Sequence, residues 1–323
     1  MRKERIQTVT GDVLLKMDLP PLRYAVYGFL PQGLHILAGL PKVGKYWLLH
    51  QLGLKVSEGE NFWNFTTEKG TVLYLCLEDS FARVQQRLSL LTDKAPDNLH
   101  FAIMAPSLSD GLLPQIQQFI AEHPDTILVI IDTLQKVRDG TGDNYYASDY
   151  KDIGRLKVIA DEHALAILCV QHLRKQYDSD PHLMVSGSTG LTGAADGSYV
   201  LQRPDVKSPE AKLYVRGRDV EEMVLTIRFN ADTCQWEFVC GDTPMSDAMK
   251  NDADMTALIE FLKRTREYHG TASALADKLG KGLTGNVLSR KLNRYQKELL
   301  SQGVSIDRTR SGTQRELHLA MTQ

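Results

Sequence analysis

Through the first two-thirds of the chain, short apolar runs alternate with longer amphipathic stretches. Run 34–38 precedes stretch 45–57, run 71–77 precedes 80–91, and run 126–131 precedes 148–162, before a last apolar run at 164–170. Runs of Val, Ile and Leu with no polar alternation suit strands buried on both faces, and the stretches between them carry helical spacing. Strand and helix in alternation predict an α/β fold with a mainly parallel, doubly covered sheet. From about residue 198 the pattern changes to runs 199–201, 212–215, 224–229 and 235–239 separated by turns. These read as antiparallel strands that finish the sheet.

Charge divides the chain further. Its 323 residues carry 38 Lys and Arg against 40 Asp and Glu, a net charge of −2, so the whole is no polycation. Residues 1–249 hold 25 basic and 32 acidic side chains, whereas residues 250–323 hold 13 and 8. An acidic body is therefore followed by a basic tail. The turn-forming segment 241–247 lies between them and reads as a linker, which gives domains at 1–241 and 251–323 joined by 242–250.

Cys76, Cys169, Cys234 and Cys240 form no CxxC pair, which suits reduced thiols rather than a disulfide framework or a zinc site. The longest apolar run, 164–170, has seven residues against the roughly 18 of a membrane helix. No apolar leader follows the charged start at 1–10, so the expected location is the cytoplasm.

Candidate chemistry clusters at the ends of the predicted strands. Between run 34–38 and the helix near Lys45 stand Gly39, Leu40, Pro41, Lys42, Val43, Gly44, Lys45 and Tyr46, which satisfy GxxxxGK without its final Ser or Thr. The glycines admit close backbone approach to phosphate, and the amides from Lys42 through Val43 and Gly44 join the helix N-terminus in offering positive potential. Lys45 reaches the terminal phosphates. Pro41 contributes no N–H. Tyr46 stands where a short hydroxyl normally ligates Mg²⁺, a role a phenol does not fill without rearrangement. The Mg²⁺ is then held through water and a carboxylate elsewhere, or the chain binds nucleotide and hydrolyses it poorly, or Tyr46 is itself a substitution.

Run 71–77 ends in Glu78 and Asp79, and Glu78 is the candidate for orienting or deprotonating an attacking water. The plain alternative is that both acids merely open the next helix. Run 127–131 ends in Asp132, the Walker B pattern, whose carboxylate holds Mg²⁺ directly or through water. Run 164–170 leads into Gln171 and His172, placed to sense a γ-phosphate. Arg216 and Arg218 follow run 212–215 and are candidates for an arginine that reaches a neighbouring subunit; solvated surface arginines are the alternative.

Taken together, segments 39–45, 77–79, 130–133, 171–175 and 186–196, with the lead-in 27–34, resemble the RecA-like ATPases of the plasmid RepA type. The resemblance spans about residues 20–240. It implies a RecA-like P-loop core, a hexameric ring, ATP and Mg²⁺ as cofactors, and an arginine finger from the adjoining subunit. It also implies translocation on single-stranded DNA in replication of a mobile element, with segment 186–195 facing the ring's channel. Tyr46 departs from the family pattern and bears on hydrolysis more than on binding.

In the tail, 254–268, 272–279 and 284–301 read as helices, the last capped by Thr284, followed by a hairpin of 304–310 and 314–319. Three helices and a hairpin suggest a winged helix. Arg290, Arg294 and Lys297 share one face of the third helix, Lys291 flanks it, and Arg308 and Arg310 lie on the wing, a surface suited to duplex phosphates. A module for protein contact is the alternative. The functional expectation is an ATP-driven helicase or loader. A nucleotide-gated DNA-binding regulator and an ATP-organised assembly protein are its rivals.

Overall fold

A computed structural model describes residues 8–17, 19–138, 145–174, 176, 178–186, 189–205, 208–242, 249, 252–280, 282–295, 299, 302–311 and 314–321. Fourteen strands occur among them: β1 (Tyr24–Val26), β2 (Leu30–Pro31), β3 (Gly33–Gly39), β4 (Thr71–Cys76), β5 (Leu99–Ala102), β6 (Thr126–Asp132) and β7 (Ala166–His172), then β8 (Gly197–Gln202), β9 (Glu210–Gly217), β10 (Met223–Asn230), β11 (Gln235–Asp242), β12 (Glu267–Thr271), β13 (Val304–Ser311) and β14 (Gln314–Met321).

Nine of these strands form one sheet in the order β11-β10-β9-β8-β3-β7-β6-β4-β5. From β5 to β8 the neighbours run parallel, and β9, β10 and β11 are added antiparallel. Alternate residues of the central strands feed two separate cores. Leu37, Tyr74, Ile130 and Leu168 enter one, and Ile36, Leu75, Ile131 and Cys169 enter the other. Both faces are thus covered, which is why these strands are continuously apolar.

The helix Lys45–Glu58 leaves β3 through Gly44 (φ +106°) and stops at Gly59 (φ +75°), whose left-handed backbone ends the helix in hydrogen bonds to Lys55 and Val56. The helix Phe81–Leu88 is capped by the Ser80 hydroxyl, which accepts from the Arg83 amide (3.5 Å). That cap places Glu78 and Asp79 in the turn before the helix rather than in its first turn.

Three expectations change. Run 199–201 was expected among the antiparallel strands; β8 does pair antiparallel with β9, but it lies parallel to β3 on its other side, and five of its six residues are buried as in β3. Strand β5 leaves little mark in the hydrophobic pattern, because it is a half-exposed edge carrying His100, and the helix Leu112–Glu122, whose Leu112, Ile116 and Ile120 recur at four-residue spacing on its buried face, was not among the expected elements. Residues 266–268 read as helix, yet the helix Ala253–Thr265 ends where Arg266 turns to φ +68°, and β12 begins at Glu267.

The C-terminal unit consists of the helices Ala253–Thr265, Ala272–Leu279 and Gly285–Arg294 with an antiparallel sheet in the order β12-β14-β13. Leu258, Leu262, Leu288, Leu292 and Leu319 belong to its own core. Of linker 242–250, only residues 242 and 249 are described.

Candidate nucleotide site

The C-terminal ends of β3, β4, β6 and β7 open on one cavity of about 550 Å³. Lys42, Gly44, Lys45 and Tyr46 line it from the loop after β3, Glu78 from β4, Asp132 from β6 and His172 from β7. This is the crevice at the carboxyl ends of the strands where open α/β sheets bind ligands.

The loop's shape is fixed by its glycines. A Cβ on Gly39 would lie 2.9 Å from the Leu201 carbonyl, and one on Gly44 would lie 2.6 Å from Cζ2 of Trp236. Trp236 is fully buried on β11 and its indole N–H donates to the Gly44 carbonyl (3.0 Å). Val43 packs into the core beneath. The Lys45 ammonium donates to the carbonyls of Gly39 (2.8 Å) and Leu40 (3.1 Å). Burial lowers its pKa, while the Asp132 and Glu78 carboxylates pull it back up.

Facing the loop, Asp132 accepts a hydrogen bond from the Tyr74 hydroxyl (3.2 Å). Burial pushes its carboxyl up to about 6, against the opposing pull of Tyr74 and Lys45. The next residue, Thr133, follows a cis peptide and donates its hydroxyl to Glu78 (3.2 Å). Asp132, Glu78 and Thr133 thus stand together as an all-oxygen set. The His172 Nδ1 is shielded from water and has no hydrogen-bond partner. Gln171, by contrast, is buried and turns its amide oxygen back onto the His172 N–H (3.0 Å), and it does not reach the cavity.

Tyr46 has its own partners. Its hydroxyl lies 2.6 Å from His50 Nε2 and its ring stacks on the His50 ring at 3.8 Å, one helical turn on. His50 Nδ1 meets the Tyr46 carbonyl (3.1 Å), and burial pushes this imidazole down to about 3, so it is neutral. The neutral ring donates through Nδ1–H to that carbonyl and accepts the phenol proton at Nε2. Above Tyr46 the Arg87 guanidinium sits 3.8 Å from the ring centroid and bonds Asp79 (2.6 Å). The phenol is thus engaged by His50 one turn along the helix and by the Arg87–Asp79 pair over its ring.

Sequence reasoning did not anticipate several lining residues: Arg83, Arg87 and Arg203, and the rings of Trp47 and Phe229. Position in the strand-end pattern would have pointed to Thr133. The arginines stand in ordinary polar contexts with no local signal.

Arg216 and Arg218 lie at the other end of the sheet. Arg216 pairs in register with Ser198 and Gly217 with Gly197, beside the start of β3, whereas the phosphate loop follows β3's far end. Arg216 is bound to Asp180 (2.7 Å) and Glu222 (2.6 Å), and Arg218 to Asp196 (3.1 Å). In the tail, Arg290 is exposed on the helix Gly285–Arg294. Lys291 is instead held by Asp252 (2.6 Å) and Asp254 (2.5 Å), tying this helix to the start of Ala253–Thr265. Lys297 lies outside the described residues, as do the side chains of Arg294, Arg308 and Arg310.

A phosphate loop on β3, a carboxylate on β6 and a mainly parallel sheet define a P-loop ATPase with a RecA-like core. The chain belongs to the AAA domain family, whose profile matches residues 2–178. Among solved structures it is similar to the ATPase domain of another protein, with 15% identity and a TM-score of 0.54 over 65% of this chain and 85% of that one. No curated protein matches it. Among the described residues no helix is long and apolar enough to cross a membrane.

Proposed function

We propose that this protein is an ATP-dependent DNA motor or loader of the RepA type, acting in replication of a mobile element. The observation that carries this reading is the convergence of Lys45, Glu78, Asp132 and His172 on one cavity from four parallel strands. A nucleoside triphosphate fits it: the N-terminus of the helix Lys45–Glu58 and the Lys45 side chain line the cavity, and the His172 Nδ1 awaits a partner. The Asp132 and Glu78 carboxylates with the Thr133 hydroxyl suit a hard, oxygen-seeking Mg²⁺.

Lys45 exchanges the Gly39 and Leu40 carbonyls for phosphate oxygens, a short movement of a flexible side chain. Glu78, oriented by Thr133, positions and deprotonates water, and His172 contacts the terminal phosphate. Asp132, directly or through water, would hold Mg²⁺, which when bound would supply neutralisation of phosphate charge. Arg216 and Arg218, at the opposite end of the sheet from the chain's own loop, serve the next subunit of a ring. The C-terminal unit acts as a winged helix and uses Arg290 and its neighbours on duplex phosphates, with single-stranded DNA in the channel near 186–195.

The test is steady-state ATP turnover with Mg²⁺, with and without single-stranded DNA, with Lys45→Ala as the blank. DNA-stimulated turnover that Lys45→Ala abolishes supports the motor. The engagement of Tyr46 by His50 and Arg87 favours one second reading, a nucleotide-gated DNA-binding regulator. ATP-dependent DNA affinity without turnover would establish that alternative and overturn the motor.

A further inference from the structure

The C-terminal sheet carries a second cluster of chemistry that the nucleotide reading does not use. In the β12-β14-β13 order, His269 pairs in register with His318, and His318 with Asp307. The three side chains therefore form a row across three strands, and Glu267, two residues before His269, shares its face. Tyr268, Leu317 and Leu319 alternate with them and fill the core, so the row occupies the opposite face.

The two imidazoles stack at 3.7 Å with only 13° between their planes. His318 presents Nδ1 to Asp307 at 3.8 Å and Nε2 to Glu267 at 4.0 Å, both too long for hydrogen bonds. Its Nε2 is shielded from water and has no hydrogen-bond partner. One ligand atom from each of Glu267, His269 and His318 lies within 4.8 Å of the other two. Two donors on one tetrahedral ion at about 2.0 Å stand about 3.3 Å apart, so the triangle closes when the exposed His269 ring rotates out of the stack to turn a ring nitrogen toward His318 Nε2 and Glu267.

We infer that Glu267, His269 and His318 form a binding site for a borderline transition-metal dication of the Zn²⁺ class, with Asp307 as its orienting carboxylate. Two imidazoles and a carboxylate are the donors such an ion takes, with water completing the tetrahedron. Asp307 faces Nδ1 of His318, and closing that 3.8 Å gap on metal binding would fix the tautomer that leaves Nε2 free to ligate. The bound ion would pin all three strands of the sheet: β12 and β14 through ligands, β13 through Asp307.

The experiment titrates the metal-free full-length chain with Co²⁺ in excess Mg²⁺, reading the visible ligand-field spectrum, then adds Zn²⁺. The expected result is one equivalent of Co²⁺ with the intense bands of a four-coordinate site, bleached by Zn²⁺. His269→Ala and His318→Ala each abolish the spectrum, Asp307→Asn weakens binding by about 10- to 100-fold, and Lys45→Ala retains it. His269 is exposed, so His269→Gln keeps the fold and isolates the loss of a ligand. Absence of a Co²⁺ spectrum in the unaltered chain, or its survival in both His269→Gln and His318→Ala, overturns the assignment.

Discussion

At the scale of single residues, Tyr46 is where this chain departs most from the phosphate-loop pattern, and its surroundings are built around it. His50 accepts its hydroxyl, and Arg87 covers its ring while gripping Asp79. Tyr46→Phe keeps the stack and loses one hydrogen bond, so it should lower unfolding free energy by about 1 kcal/mol in urea titrations. Tyr46→Ser removes the ring from under Arg87 as well and should cost about 1–3 kcal/mol. It restores a short hydroxyl beside the carboxylates, so Mg²⁺-dependent nucleotide affinity should rise while stability falls. Asp132 gives a pH-dependent counterpart. Its folded pKa of about 6 lies above the unfolded value, so ionisation is disfavoured in the native state and stability declines as pH rises from about 4 to about 6. Asp132→Asn should remove that decline, raise the melting temperature of the nucleotide-free protein at pH 7.5, and abolish the Mg²⁺ dependence of nucleotide binding. The motif residues were legible because each sits at the end of an apolar run, where local pattern and chemistry coincide. Arg87 and His50 were not, since their roles exist only through a neighbour.

At the scale of elements, β11 acts as a brace for a loop it does not adjoin in sequence. Gln51 in the helix Lys45–Glu58 bonds both backbone groups of Trp236, and the Trp236 indole holds the Gly44 carbonyl. Trp236→Phe removes that last bond from the half-buried Gly44 of a largely exposed loop. Nucleotide affinity should drop roughly fivefold, equivalent to about 1 kcal/mol, in fluorescence titrations. Gly44→Ala meets both a left-handed backbone and the indole, so loss of nucleotide binding should be complete. Strand type was readable from periodicity, but partner and direction were not. Run 199–201 looks like its antiparallel successors in the sequence, and β8 is antiparallel to β9, yet its other edge runs parallel to β3, which makes it the strand where the sheet changes direction.

At the scale of the whole molecule, the nucleotide loop and the Arg216–Arg218 pair occupy opposite ends of one sheet, about 13 Å apart along the strands at ~3.3 Å per residue. A ring in which each subunit completes its neighbour's site makes a specific prediction. Lys45→Ala and a chain lacking both arginines should each be inactive alone. When co-assembled, they should regain turnover at roughly a quarter of the interfaces. In the tail, Arg290→Ala with Arg294→Ala should weaken duplex binding and flatten its dependence on salt, whereas Lys291→Ala, whose ammonium is held by two aspartates, should act mainly on stability. The charge asymmetry that separated tail from body was plain in composition, while the division of labour among its basic residues needed the fold.

The brace also sets an order of events. Trp236 meets Gly44 across 192 residues of chain. At roughly 5–20 residues per second, a ribosome takes about 10–40 s to synthesise that interval. During this time the phosphate loop has left the exit tunnel without its support. Nascent protein therefore passes through a stage in which β3 and its helix exist but ATP has no finished seat, and cofactor capture comes late in biogenesis. Chains released before residue 236 should fail to be retained on immobilised ATP, however well their first seven strands have formed.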